Sequence, residues 1–189
     1  HIQFVHRDWQ ASEAYPRLEA DTRQDGDIIY RKLVLPNGLP PPFFQGVLPP
    51  DEPIDFIMET RWTLPSNIKL TATVTEPGAA EKYLMGNDSA HLVSPEEEGR
   101  CHYFYAHCRD YGVGDPEVDA RVREWQRIGF TEQDKPVLEA QQRKLGTRDL
   151  MELRPVILPT DAAGVRARRI LAQRIAHETG RAPLQAVGA

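Results

Sequence analysis

Asn67-Ile-Lys-Leu-Thr-Ala-Thr-Val-Thr75 alternates without a break. Ile68, Leu70, Ala72 and Val74 share one face of an extended chain, and Lys69, Thr71, Thr73 and Thr75 share the other. A two-residue period with one apolar side predicts a strand that covers a core on one face and meets water on the other. Working outward, Ile54–Arg61 has the same character, with Pro65-Ser-Asn67 as the bend between the two. Asp27–Leu35 is a strand candidate rich in β-branched and aromatic residues. Ala90–Val93 and Cys101–Arg109 are two more, joined by Pro95-Glu-Glu-Glu-Gly99. Strands and turns at this spacing predict an antiparallel meander.

Residues 36–53 hold seven prolines and read as a loop, since proline removes ladder donors. The loop carries Phe43-Phe44, which predicts that it packs over the domain at the pocket mouth. The stretch from His1 to about Thr22 reads as helix and turn. After Arg109 the pattern turns helical. Asp115-Pro-Glu supplies an N-cap acceptor, a proline at the first helical position and an acid near the positive helix end. Val118, Val122, Trp125 and Phe130 form its apolar stripe. A second helix is predicted from about Thr131 to Leu145, with Pro136 in its first turn and Gly146 as its stop. A third runs from Thr160 to Thr179, with Val165, Leu171 and Ile175 inward and Arg166, Arg168, Arg169 and Arg174 in solvent. Strands followed by helices predict an α+β domain.

The chain has 189 residues, enough for one domain with a real core. Its net charge of −5 argues against a general nucleic-acid binder, which needs a basic surface. No apolar run approaches a membrane span. Cys101 and Cys108 lie too far apart on one strand to bridge each other, and free thiols in a reducing cytoplasm are the simple reading. The run Cys101-His-Tyr-Phe-Tyr-Ala-His-Cys108 does not make a metal site: alternation sends Cys101 and His107 one way, His102 and Cys108 the other.

Two histidines and one aspartate carry the chemistry: His1 and His6 in His1-Ile-Gln-Phe-Val-His6, and Asp134 in Gln133-Asp-Lys135, which leads into Val137-Leu-Glu-Ala-Gln-Gln-Arg143. Two imidazoles and a carboxylate can hold mononuclear non-haem iron and leave positions open. Five residues rotate about 140° on an α-helix, so a distorted turn or π-bulge is expected to bring the two histidines together. Each residue has a plainer reading. His1 would be an exposed terminus, and Asp134, three residues after Thr131, would stabilise a helix start.

Both segments, in this order, resemble the catalytic half of Rieske non-haem iron oxygenases, in the branch of vanillate and dicamba O-demethylases. The resemblance implies a helix-grip (Bet v1/START-like) fold, a curved antiparallel sheet with C-terminal helices. It implies metal ligands at His1, His6 and Asp134, with residue 133 often an acid where this chain has Gln133. It implies pocket roles for His91, which would hydrogen-bond a substrate carboxylate or ether oxygen, and for Trp125. Where the dicamba branch has a substrate-binding asparagine this chain has Leu70, which implies a more apolar wall and argues against dicamba itself as substrate.

The activity implied is hydroxylation or O-demethylation of an aromatic substrate with Fe(II) and O2; N-demethylation and methyl hydroxylation share the same iron chemistry. Residues 1–189 would be the mononuclear iron domain, with the Rieske domain and its [2Fe–2S] cluster upstream in a longer protein. Electrons would come from NAD(P)H through a reductase or ferredoxin, within a homotrimer. Two other classes compete: a copper monooxygenase using an N-terminal histidine, and a metal-free helix-grip module that binds a ligand.

Overall fold

The computed structural model describes residues 5–6, 18–41, 44, 46–146 and 150–180. Six strands run in sequence order through one sheet: β1 (Glu19–Asp25), β2 (Ile28–Gly38), β3 (Ile54–Thr63), β4 (Asn67–Glu76), β5 (Ala79–Glu97) and β6 (Arg100–Arg109). Every neighbouring pair is antiparallel, so the meander expected from the alternating stretches is the fold. It is an α+β domain in which a curved sheet is followed by C-terminal helices.

Several boundaries differ from the sequence reading, each for a local reason. Residues 19–22 were expected in a helix and turn; they belong to β1, a polar edge strand that pairs with β2 through Glu19↔Val34 to Asp25↔Ile28. An edge strand exposed on both faces has no apolar period to announce it. β2 continues through Pro36 to Gly38, three residues into the proline-rich loop, past a register shift between Leu35 and Gly38. β5 spans 19 residues, far beyond Ala90–Val93, because its first half pairs along β4 and its last residues along β6. The turn expected over 95–99 shrinks to Glu98-Gly99.

Two glycines are needed where they stand. Gly78 takes φ 70° in the two-residue link from β4 to β5, and its N–H donates to Asp55 Oδ2 at 2.9 Å. The left-handed region admits glycine without the Cβ clash. Gly86 lies so close to β4 that a Cβ would stand 2.7 Å from the Ala72 carbonyl oxygen.

Helix α1 (Pro116–Arg127) starts as expected, with Asp115 Oδ1 accepting from the Glu117 and Val118 amides at 2.8 and 3.3 Å. It passes directly into a π-helical segment, Ile128–Asp134, and then into α2 (Lys135–Leu145), which ends at Gly146 with φ 62°. The second helix therefore has no start at Thr131, and the capping reading of Asp134 is overturned: its backbone is helical and its side chain makes no cap hydrogen bond.

After short 3₁₀ turns at Leu150–Leu153 and Pro159–Asp161, α3 (Ala162–Thr179) lies against β2. Its buried residues are Ile170 and Ala176, while Ile175, expected inside, is exposed. The helix docks on the β1–β2 end through a face that includes Arg166, whose guanidinium donates to the Thr22 carbonyl at 3.0 Å; Arg174 pairs with Asp27. Arg166 was expected in solvent, and its long stem lets it cover apolar surface while the head finds a backbone acceptor.

The main core lies between the sheet and α1 and contains Phe44, Ile54, Phe56, Val74, Tyr111 and Val118. Phe44, from the proline-rich loop, is wholly buried, with its ring 6.1 Å from Phe56 and 5.3 Å from Tyr111. Phe44 thus packs over the domain, as the loop's aromatic content predicts, while Phe43 lies outside the described residues. No helix among the described residues is long and apolar enough to cross a membrane.

Candidate metal centre

A cavity of about 360 Å³ opens between the sheet and the α1–π segment. That volume lies in the range of small-molecule pockets. β2, β3 and β4 contribute an apolar floor that includes Leu33, Met58, Leu70 and Ala72. β5 and β6 contribute a polar wall of Asn87, Ser89, His91, Tyr105 and His107. The helical side contributes Val122, Trp125, Gln126, Gly129, Phe130 and Asp134, and His6 joins from the N-terminal segment.

The π segment decides which helical side chains reach this cavity. In a continuous α-helix, nine residues turn a side chain through about 180°, so Trp125 and Asp134 would face opposite ways. The wider i→i+5 turns of Ile128–Asp134 advance the rotation less per residue, and both side chains line the same cavity. A π distortion was expected at the histidines, where residues 1–4 lie outside the described residues; among the described residues one occurs at the aspartate. Of the histidine segment, Val5 and His6 are described, and His1 lies outside the described residues.

His6 and Asp134, 128 positions apart, come together. His6 Nε2 stands 3.3 Å from Asp134 Oδ1, and both side chains are largely buried, at 14% and 19% exposure. The other ring nitrogen, Nδ1, is 2.8 Å from Gln133 Oε1. Because an amide oxygen can only accept, Nδ1 carries a proton; Nε2 then keeps a lone pair in the neutral ring and donates to Asp134 in the protonated one. Hydrogen bonding to the Asp134 carboxylate holds the His6 pKa above its ordinary value; burial opposes this, and Gln133 adds to the rise.

This arrangement fits a first-row divalent ion. Two such ligands, bonded at about 2.1 Å and set at right angles, would stand roughly 3.0 Å apart. A metal-bound histidine also usually donates its second ring N–H to an acceptor, the part Gln133 plays here. Among the described residues, no three His, Cys, Asp or Glu side chains converge, so two of the three expected ligands are placed together and the third position is the one expected for His1.

The expected pocket residues His91, Trp125 and Leu70 all line the cavity. His91 is held on both sides: Nδ1 is 2.5 Å from the Tyr103 hydroxyl and Nε2 is 3.2 Å from Ser89 Oγ. Burial pushes its pKa down, so it is neutral at pH 7. Phe130 reaches across from the π segment, its ring 4.4 Å from Tyr105 and 5.8 Å from His91, and joins helix to sheet at this end. Tyr103, within the same cluster, has its hydroxyl pKa pushed up to about 12, mainly by burial and also by the Asp134 charge.

Sequence reasoning missed Asn87, Ser89, Tyr105 and His107. Their signal was available in the alternation of β5 and β6, where positions 87, 89 and 91 and positions 103, 105 and 107 share a face. Cys101 and Cys108 are both free and exposed on β6.

The family model described as "Vanillate O-demethylase oxygenase C-terminal domain" matches residues 1–177. The oxygenase component of dicamba O-demethylase from Stenotrophomonas maltophilia is 31% identical over 173 residues, covering 89% of this chain and 50% of that protein. The crystal structure of dicamba monooxygenase bound to 3,6-dichlorosalicylic acid superposes with a TM-score of 0.85 at 30% identity, covering 96% of this chain and 54% of that one. A dicamba monooxygenase structure with non-haem iron and dicamba matches with a TM-score of 0.72 at 28% identity, over 87% of this chain and 50% of that one. The chain spans about half the length of the curated relatives it matches. With a family match over nearly its whole length and the same sheet-and-helix fold, this chain belongs to the family of vanillate O-demethylase oxygenase C-terminal domains.

Proposed function

We propose that this chain is the mononuclear-iron catalytic domain of a Rieske-type oxygenase that hydroxylates or O-demethylates an aromatic substrate. The observation that supports this most is the approach of His6 Nε2 to Asp134 Oδ1, 3.3 Å, at the edge of a largely apolar cavity. His6, Asp134 and His1 would hold Fe(II), which supplies the one-electron and O2 chemistry that side chains lack. Gln133 keeps the His6 ring in the tautomer that coordinates. Trp125, Phe130, Leu70 and Met58 hold an aromatic ring and exclude water. His91, locked by Tyr103 and Ser89, borders the same space and shapes it through its ring.

Family membership supports a reading of the whole protein with a second half carrying a [2Fe–2S] cluster and a reductase or ferredoxin fed by NAD(P)H; a homotrimeric assembly and a cytoplasmic location are part of the same proposal. The full-length parent, supplied with Fe(II), a reductase and a panel of methoxy-, N-methyl- and methyl-substituted aromatics, is expected to consume O2 and release formaldehyde from a methoxy substrate. No iron-dependent O2 consumption with any of them would refute the assignment.

Gln133→Leu is expected to lower Fe(II) affinity by roughly 10- to 100-fold, the usual effect of losing the group that orients a metal-bound histidine. Gln133→Glu should keep the affinity near wild type, since a carboxylate accepts the same N–H. Anaerobic titration of both variants checks this.

A further inference from the structure

The polar wall of the cavity holds one group whose role is not accounted for by the fold. His107 lines the cavity from β6, directly across the strand pair from Ser89. Its Nε2 is buried and has no hydrogen-bond partner among the described residues. Buried imidazole nitrogens are normally satisfied, because they lose water without compensation otherwise. His91 is different: both of its nitrogens already have protein partners. If the Tyr103 hydroxyl donates to His91 Nδ1 and His91 Nε2–H donates to Ser89, the Ser89 hydroxyl proton remains for a third group. Among the described residues, the hydrogen bonds left for a bound molecule include those of His107 and Ser89, with the Tyr105 hydroxyl and the amides of Asn87 and Gln126 beside them.

We propose that His107, with Ser89, anchors the substrate through a hydrogen bond, and that the molecule selected is an uncharged aromatic bearing a hydrogen-bonding substituent such as an amide or phenol. This rests on the reading of the cavity as the substrate site. The His107 ring is held neutral: burial lowers its pKa most, and Arg109 and His91 add to that. The Arg109 guanidinium pairs through Nη2 with Asp119 at 2.5 Å and the Gly112 carbonyl at 3.0 Å; its Nε is buried without a partner among the described residues, but Arg109 does not line the cavity. A neutral imidazole and a hydroxyl offer dipoles, which match an uncharged polar group. A buried carboxylate would require a full counter-charge.

The test is anaerobic calorimetric titration of the full-length oxygenase with methoxybenzene, 3-methoxybenzamide and 3-methoxybenzoate. The amide is expected to bind wild type tightest. His107→Leu should weaken amide binding about tenfold, the worth of one buried hydrogen bond, and leave methoxybenzene unchanged. His107→Gln, which can still donate and accept, should stay within about threefold of wild type. Equal loss for both neutral probes in His107→Leu, no change for either, tightest binding of the benzoate, or no binding of any probe to wild type would each overturn the proposal. His6→Ala in the same titrations separates it from the iron assignment: that variant should lose Fe(II) and keep the amide preference. If wild type binds no Fe(II) but shows the amide preference, the iron reading fails and the anchor stands.

Discussion

Asp134→Ala is expected to leave a folded protein that binds Fe(II) at least about a hundredfold more weakly and turns over no substrate, since even losing a ligand's supporting group costs up to that much. The carboxylate is not needed to begin a helix: Ile128–Asp134 continues α1, and Asp134 makes no cap hydrogen bond. Alanine also has the higher helix propensity, so the thermal midpoint should change by no more than a few degrees. The variant should thus separate metal binding from folding. His6→Ala should behave alike, because the two side chains face each other at 3.3 Å. Anaerobic Fe(II) titration alongside a thermal melt reads both effects. Iron binding retained in both variants would end the proposal of a shared metal centre.

Phe44→Ala should be the most damaging core substitution. The ring has no exposure and packs between Phe56 and Tyr111 at 6.1 and 5.3 Å. Truncating a buried phenylalanine costs about 3–5 kcal/mol, from lost burial and the void left behind. For a domain of this size that lowers the midpoint by roughly 6–20 °C. Phe56 and Tyr111 also line the cavity, so the same change should loosen ligand binding. Phe44→Leu, which refills most of the volume, should cost less than half as much. A calorimetric melt of the two variants decides it; an unchanged midpoint for Phe44→Ala would mean that the proline-rich loop does not belong to the core.

Much of the framework was legible in the chain. Alternation over Asn67–Thr75 announced a strand with a buried face, and Ala72 and Val74 are buried there; Thr75, expected on the face that meets water, is buried as well. Asp115-Pro-Glu announced the start of α1 to the residue, because capping is a local hydrogen-bonding event. Strand lengths were less legible. The start of β5 is exposed over Ala80–Leu84 and owes its extended form to pairing with β4. The stripe on α3 was misplaced at Ile175 because which face of a helix is covered depends on how it docks, and here it docks on β2 by the side carrying Arg166 and Ile170.

The sequence by itself determined the antiparallel strand-then-helix order, which follows from local periodicity; metal ligands at His1, His6 and Asp134 and an apolar wall at Leu70 were expectations carried by the family resemblance. Tertiary structure alone decided that Asp134 shares a cavity with Trp125, through a π segment that resets the helix phase, and that His6 crosses 128 positions to meet it. It also decided that His91 is already partnered while His107 Nε2 has no partner among the described residues. The physical reason is common to all three: a helix's local pitch and a side chain's hydrogen-bond partners are set by what packs against them, and those neighbours lie far away along the chain.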